Sequence, residues 1–215
     1  MDSSITRDLY RDITDFAHTT PTWFQKLAEI WTELGLLLFG ALFLVAWWRA
    51  RVGPPPAIAV AVLAPLATAT GYVVSESFKS VVDEDRPCRT VADAAASLVP
   101  CPPVGDWSFP SNHSSIAGAA AIALAIAWPR IALLTVPMAV LMAFSRVFVG
   151  VHYPHDVMVG LVLGALVAVV FILALRRPAQ SLLTTMRTSR TGVVVWFAGP
   201  GGAAAPVRNR HRHRR

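Results

Sequence analysis

Charge is scarce in this chain. Only 15% of its 215 residues are Asp, Glu, Lys or Arg, where an average soluble domain carries about 25%. That excludes a highly charged disordered chain and argues against a soluble one. Acidic residues are missing altogether from Arg176 to Arg215, a stretch that holds nine arginines. Residues 1–175 hold ten Lys/Arg against thirteen Asp/Glu. The net charge of +6 is therefore a basic tail, not a basic face. Beside a membrane span, such a tail reads as cytoplasmic retention and attraction to anionic lipid rather than as a nucleic-acid arm. The segment Met1–Lys26 lacks a basic region ahead of an apolar stretch, so no cleavable signal peptide is expected and the first span serves as the insertion signal. There is no internal repeat.

What is abundant is apolar surface. Hydrophobic residues make up 54% of the chain, and mean hydropathy is +0.52. They fall in blocks of about 17–25 residues, the length needed to cross a bilayer. Ile5, Leu9, Ile13, Phe16 and Ala17 recur at helical spacing among Asp and Arg, which predicts an amphipathic interfacial helix over residues 1–20. Five spans are expected: Trp23–Trp48, Ala57–Phe78, His113–Trp128, Ile131–Val149 and Asp156–Leu175. The fold class is thus all-α, an integral membrane bundle of about five transmembrane helices over residues 21–176. Residues 177–215 read as a basic, largely disordered tail. A four-span alternative leaves Trp23–Trp48 flat on the surface, but its central run is too apolar for that. Arginine without acid marks 49–53, 128–130 and the tail, so the positive-inside rule puts them in the cytoplasm. The loop 79–110 then faces outward, with an outer N-terminus and a cytoplasmic C-terminus.

Three outward segments gather the unusual polar residues. Lys79 and Arg86 end the second span. Ser111, Asn112 and His113 open the third. Arg146, His152 and Asp156 bridge the fourth and fifth. A charge at the edge of an apolar run is costly and marks function. Lys79, Arg86 and Arg146 call for an anion, and phosphate suits their geometry. Backbone N–H groups after Ser111 and Asn112 open a helix and are free to hold an oxyanion. His113 and His152 are candidates for proton transfer or nucleophilic attack. Asp156 follows His152 by four residues, so on a helix it holds one imidazole nitrogen and leaves the other free.

With these spacings on the page, the chain resembles a known family. Lys79-x6-Arg86-Pro87, Pro110-Ser111-x-His113 and Ser145-Arg146-x5-His152-x3-Asp156 look like the three signatures of the type 2 phosphatidic acid phosphatases. The resemblance implies that His152 is the nucleophile forming a phosphohistidine, Asp156 orients it, and His113 protonates the leaving oxygen. It implies that Lys79, Arg86, Ser111, Arg146 and the backbone at Asn112 bind phosphate, and that no metal or cofactor is needed. Three fixed cations can themselves stabilise transition-state charge. The family usually has Gly where this chain has Asn112; Asn is found in members resembling bacterial undecaprenyl diphosphatases. That points to a polyprenyl diphosphate taken to the monophosphate. Phosphatidic acid, phosphatidylglycerophosphate or a prenyl-linked sugar phosphate are alternatives that the motifs do not separate. A membrane transporter is a third reading, but transporter charges sit near the midplane. Substrate lipid and bilayer lipid are the expected partners, nucleic acid is not, and nothing in the sequence speaks to oligomeric state.

Other residues get plainer readings. Asp83, Glu84 and Asp85 read as a solvated loop face and His155 as a surface neighbour of His152. Trp107 and Phe109 read as interfacial anchors. Glu76 either pairs with Lys79 or is exposed, and His18 has no evident partner. Cys88 and Cys101 share the outward loop and are expected to be bonded, worth about 3 kcal/mol in the chain-entropy picture.

Overall fold

The computed structural model describes residues 6–201. Helix α1, Arg7–Thr19, ends before Pro21, which fixes the first turn of α2, Thr22–Ala50. Pro54 and Pro55 then start α3, Pro55–Lys79, which runs unbroken through Pro65. A short α4, Pro87–Thr90, sits in the loop before α5, Asn112–Ala127. A single 3₁₀ turn at Pro129–Ile131 leads into α6, Ala132–Phe148. Helix α7 covers Pro154–Arg187 and α8 covers Gly192–Ala198.

Among the described residues, four helical segments are long and apolar enough to cross a membrane: Thr22–Ala50, Pro55–Lys79, Pro129–Phe148 and Pro154–Arg187. The third expected span, α5, has 16 residues, fewer than the roughly 20 that a full crossing takes. It is the inner helix of the bundle, packed against α3, α6 and α7. Its Ala117, Ala119, Ala120 and Ala123 have no exposed surface. Small residues let neighbouring backbones approach closely. A Cβ on Gly164 of α7 would lie 1.9 Å from the Ser115 carbonyl oxygen, and one on Gly118 would lie 2.3 Å from that of Leu161. Backbone therefore meets backbone where α5 crosses α7. This contact holds the start of α5 against the start of α7, where the Ser111 amide donates to the Asp156 carbonyl at 3.2 Å.

Two differences from the sequence reading concern the ends. The boundary expected at 176–177 falls inside α7, which continues to Arg187. The segment beyond 190, expected to lack structure, contains α8, whose Ala198 is buried against Ile58, Ala59 and Leu183. Its Trp196 and Phe197 rings pack on Trp47 at 5.4 and 5.7 Å, and Arg51 Nε donates to the Trp196 carbonyl at 2.9 Å. A short Val-Val-Val-Trp-Phe run was hidden in arginine- and glycine-rich surroundings. The terminal Arg/His run at 208–215 lies outside the described residues. At the N-terminus, α1 buries Tyr10, Thr14 and Ala17 against the bundle, while Leu9 and Phe16 of the expected apolar stripe face outward.

Candidate active site

Lys79 is the last residue of α3 and is buried. The chain then crosses the end of the bundle in an extended stretch, with Arg86 set just before Pro87. Asn112 and His113 open α5, Arg146 lies in the last turn of α6, and Asp156 is the third residue of α7. His152 sits on the short link between α6 and α7. That link turns at Gly150, whose φ of +87° favours glycine. Every expected site residue is thus at one end of the bundle.

The centre is a buried chain of contacts. Arg86 Nη1 lies 3.0 Å from His152 Nε2 and donates to the Val151 carbonyl at 3.1 Å. A guanidinium only donates, so Nε2 is the accepting nitrogen and Nδ1 carries the proton. Nδ1 faces Asp156 Oδ2 at 3.2 Å. The same Oδ2 accepts from the Tyr153 amide at 2.8 Å and from the Ser108 hydroxyl. Asp156, the third residue of α7, thereby accepts from the N-cap backbone at Tyr153 and anchors the imidazole at once. Complete burial, followed by the charges of Arg86, Arg146 and Lys79 and the nearby His113, holds the His152 imidazole well below its usual range. It is a neutral base whose Nε2 lone pair points at the Arg86 guanidinium.

Lys79 and Arg86 share Asp106. Its Oδ1 accepts from Lys79 Nζ at 3.0 Å and from Arg86 Nη2 at 2.8 Å. Burial pushes this carboxyl up, but the hydrogen bonds and charges of Lys79 and Arg86 outweigh it and hold it below the usual carboxylate value. On the other side, Arg146 Nη1 donates to Thr32 Oγ1 at 3.2 Å and lies 4.0 Å from Glu33 Oε1. His113 Nε2 is 3.6 Å from the same Glu33 oxygen. Among the described residues, Arg146 Nε and Ser111 Oγ are buried with no hydrogen-bond partner. Buried polar groups are almost always paired, and a phosphoryl group has the acceptors these two donors need. The Asn112 side chain turns away from the cradle, accepting from Ser75 Oγ at 2.7 Å and donating to Glu76 Oε2 at 2.5 Å. Among the described residues no non-glycine has a positive φ, so Asn fits where the family usually has Gly.

Several readings change. Glu84 is buried, not part of a solvated face; Asp83 and Asp85 are exposed. His155 is buried with it, its Nε2 3.1 Å from Glu84 Oε1. Phe109 is buried beside His155, with ring centroids 6.1 Å apart, and is not an interfacial anchor. Glu76 meets Asn112, and His18 Nε2 lies 2.8 Å from the Ala96 carbonyl oxygen. Cys88 and Cys101 are disulfide-bonded. Asp106, Ser108, Glu33 and Thr32 were not singled out in the sequence. Ser108 lies three residues before Ser111 and was the most findable of them.

Comparison with known proteins gives concordant results. Residues 60–179 match the family model described as the PAP2 superfamily, just over half the chain. The chain is 44% identical over 68 residues to the lipid A 1-phosphatase of Rhizobium johnstonii, covering 30% of this chain and 28% of that protein. It is 30% identical over 147 residues to the undecaprenyl-diphosphatase BcrC of Bacillus subtilis, covering 65% of this chain and 69% of that protein. Its fold matches the crystal structure of Aquifex aeolicus LpxE with a TM-score of 0.64 and 23% identity, covering 80% of this chain and 97% of the other. The chain spans less than half the length of the first curated relatives that it matches.

Proposed function

Because this chain belongs to the PAP2 superfamily, we propose that it is a membrane lipid-phosphate phosphatase acting through a phosphohistidine on His152, with a polyprenyl diphosphate as substrate. The observation that carries this reading is the 3.0 Å approach of Arg86 Nη1 to His152 Nε2, with Asp156 holding the opposite ring nitrogen. A nucleophile and a phosphate-binding cation meet at one pair of atoms.

The chemistry follows from those positions. Lys79, Arg86 and Arg146 hold the non-bridging oxygens of the terminal phosphoryl group, with Ser111 Oγ and the first amides of α5. The Nε2 lone pair of His152 attacks phosphorus. The bond from phosphorus to the bridging oxygen breaks, and His113, which takes up a proton once the phosphate anion offsets the charges of Arg146, Arg86 and Lys79, gives that proton to the oxygen, releasing the lipid monophosphate. Asp156 stabilises the imidazolium formed at Nδ1–H. Water then attacks the phosphohistidine, His113 takes its proton, the P–N bond breaks and orthophosphate leaves. The three cations stabilise charge through both steps.

Two features support a long apolar tail. A groove between α2 and α6 is lined by Phe24, Leu27, Trp31, Leu141, Phe144 and Phe148, and by Ser145, the chain neighbour of Arg146. The BcrC relative is an undecaprenyl-diphosphatase. The similarity to a lipid A 1-phosphatase favours a second reading, in which the headgroup is a glycolipid phosphate. The far end of the bundle carries Arg49, Arg51, Arg130, Arg176 and Arg177. By the positive-inside rule that end is cytoplasmic and the site faces outward, where the Cys88–Cys101 disulfide is compatible with an oxidising compartment.

Orthophosphate release from purified polyprenyl diphosphate, beside phosphatidic acid, phosphatidylglycerophosphate and a lipid A phosphate, tests the proposal. His152→Ala is expected to lower turnover at least about 1000-fold with normal expression. Unchanged turnover overturns the mechanism; faster release from another lipid overturns the substrate.

A further inference from the structure

Behind His152 lies a third imidazole, which the reaction above does not use. His155 Nε2 is 3.1 Å from Glu84 Oε1 and 3.2 Å from Asp156 Oδ1. Its Nδ1 is 2.7 Å from Thr6 Oγ1. The ring is stacked on Tyr153, with centroids 5.3 Å apart and planes 16° from parallel, and flanked by Phe109. Glu84 and Asp156 are both buried, at 4% and 0% exposure. Asp156 Oδ2 takes three donors, whereas among the described residues Oδ1 makes no hydrogen bond and lies 3.2 Å from the Nε2 of this ring.

Two buried carboxylates on one nitrogen pose an electrostatic problem. Neither stays ionised beside the other unless a positive charge stands between them. An imidazolium at His155 supplies that charge. It directs Nε2–H toward the carboxylates and Nδ1–H toward Thr6. The result is an alternating row, His152–Asp156–His155–Glu84, that runs from the reacting nitrogen into the protein. Glu84 is fixed in turn, because its carbonyl accepts the Ser108 amide at 2.7 Å, and Ser108 is itself a donor to Asp156.

We infer that His155 and Glu84 are positioning residues: they hold Asp156 as an oriented carboxylate, so that His152 keeps its proton on Nδ1 and its lone pair on Nε2. Neither touches the phosphoryl group. The inference rests on the proposed phosphatase reading but not on which lipid is hydrolysed.

The test uses the full-length protein in detergent, with whichever phospholipid or polyprenyl phosphate it turns over fastest. Loss of activity in His152→Ala checks the parent reading separately. His155→Phe keeps the stacking surface and removes both nitrogens. Its kcat is expected to fall about 10–100-fold, the range typical when a partner that orients an active group is removed, with KM within about twofold. His155→Gln restores an N–H donor toward Asp156 and is expected to recover part of the loss. Glu84→Gln is expected to fall between the two. Rapid-quench labelling into alkaline SDS, which preserves the acid-labile P–N bond, with substrate radiolabelled in the transferred phosphoryl group should show slower phosphohistidine formation in each variant. Wild-type kcat in the His155 variants overturns the inference. So does a parallel loss in kcat and KM with no difference between Phe and Gln, since that is what general loosening produces. If His155→Phe does not fold, His155→Gln and Glu84→Gln carry the test, and wild-type rates in both overturn it. The three side chains also form a possible cation donor set. Dialysis against EDTA is expected to leave kcat unchanged, and rescue by an added divalent ion overturns the assignment.

Discussion

Arg86 and Asp106 are joined twice. The guanidinium donates from Nη2 to the Asp106 carboxylate at 2.8 Å and from Nε to the Asp106 carbonyl at 2.8 Å. The first bond places a carboxylate on a cation that the mechanism assigns to phosphate, and Lys79 joins it at 3.0 Å. Asp106 is therefore an internal competitor for the cradle, and substrate has to displace or share it. The carbonyl bond is independent of the side chain and keeps Arg86 aimed after the carboxylate has moved.

Replacing the carboxylate should strengthen phosphate binding. Asp106→Asn keeps the size and removes the charge. The Asp106 side chain is 44% exposed, so its ion pairs are partly screened and worth only about 0.5–1 kcal/mol. The inhibition constant for orthophosphate is expected to fall about two- to fivefold, with kcat changed less. Product-inhibition kinetics checks this, and a weaker orthophosphate effect in the variant shows that Asp106 supports the cradle rather than competing for it.

His152 makes stability depend on pH. In the folded protein its imidazole is held neutral well below the usual range, while in the unfolded chain it titrates near 6.5. Below pH about 6.5 the unfolded state binds the extra proton, so stability falls as pH drops. The slope for one such group is about 1.4 kcal/mol per pH unit, continuing until the folded value is reached. Thermal melts between pH 7 and 5 should show a steeper decline in the wild type than in His152→Gln. Equal slopes would mean that the folded imidazole takes up a proton as easily as the unfolded one.

The crossing of α5 and α7 should be unforgiving. Gly164→Ala puts a methyl 1.9 Å from the Ser115 carbonyl oxygen, and backbone on both sides leaves it nowhere to go. A loss of at least about 1–3 kcal/mol is expected, as for other overpacked cores, with activity falling as Ser111 and Asp156 separate. Gly40, on α2, has nothing within 4 Å of an added Cβ. Gly40→Ala should be neutral or stabilise by about 0.5–1 kcal/mol through helix propensity. Melting temperatures of the pair, measured side by side, decide the point.

The spans and the polar residues gathered at one bundle end were legible because each carries its own signal. Leu34–Val45 is too apolar for anything but a bilayer or a core. His152 and Asp156 are four apart, and Arg146 follows an apolar run. Asp106, Glu33 and Glu84 carry no such signal. Asp106 and Glu33 are lone carboxylates and Glu84 sits in a run of three acids; the role of each exists only once the loop after Lys79 folds across the bundle end, or once α2 packs beside α6. His155 was misread for the same reason: two of its partners, Thr6 and Glu84, are 149 and 71 residues away in the chain. Helix α8 was missed because a composition average over the tail conceals five apolar residues. Local periodicity and residue chemistry survive in a linear string; partner choice across a folded loop does not.

Helix α1 braces the nucleophile's loop through one phenol. Tyr10 OH donates to the Gly150 carbonyl at 2.9 Å, and its ring lies 5.8 Å from that of Tyr153. Burial first, and then Tyr153, raises the Tyr10 phenol to about 12. Its proton, and so this bond, persists to strongly alkaline pH. Gly150 has left-handed backbone and precedes His152 by two residues, so slack at its carbonyl passes directly to the nucleophile. Tyr10→Phe keeps the ring and leaves the buried carbonyl without its donor, which costs about 1–3 kcal/mol. We expect a several-fold drop in kcat with KM nearly unchanged, because the Tyr10 hydroxyl is bonded to Gly150 and not to Lys79, Arg86, Ser111 or Arg146, the residues proposed to hold phosphate. Steady-state kinetics on Tyr10→Phe measures both quantities. A rise in KM at constant kcat would place α1 in substrate binding instead.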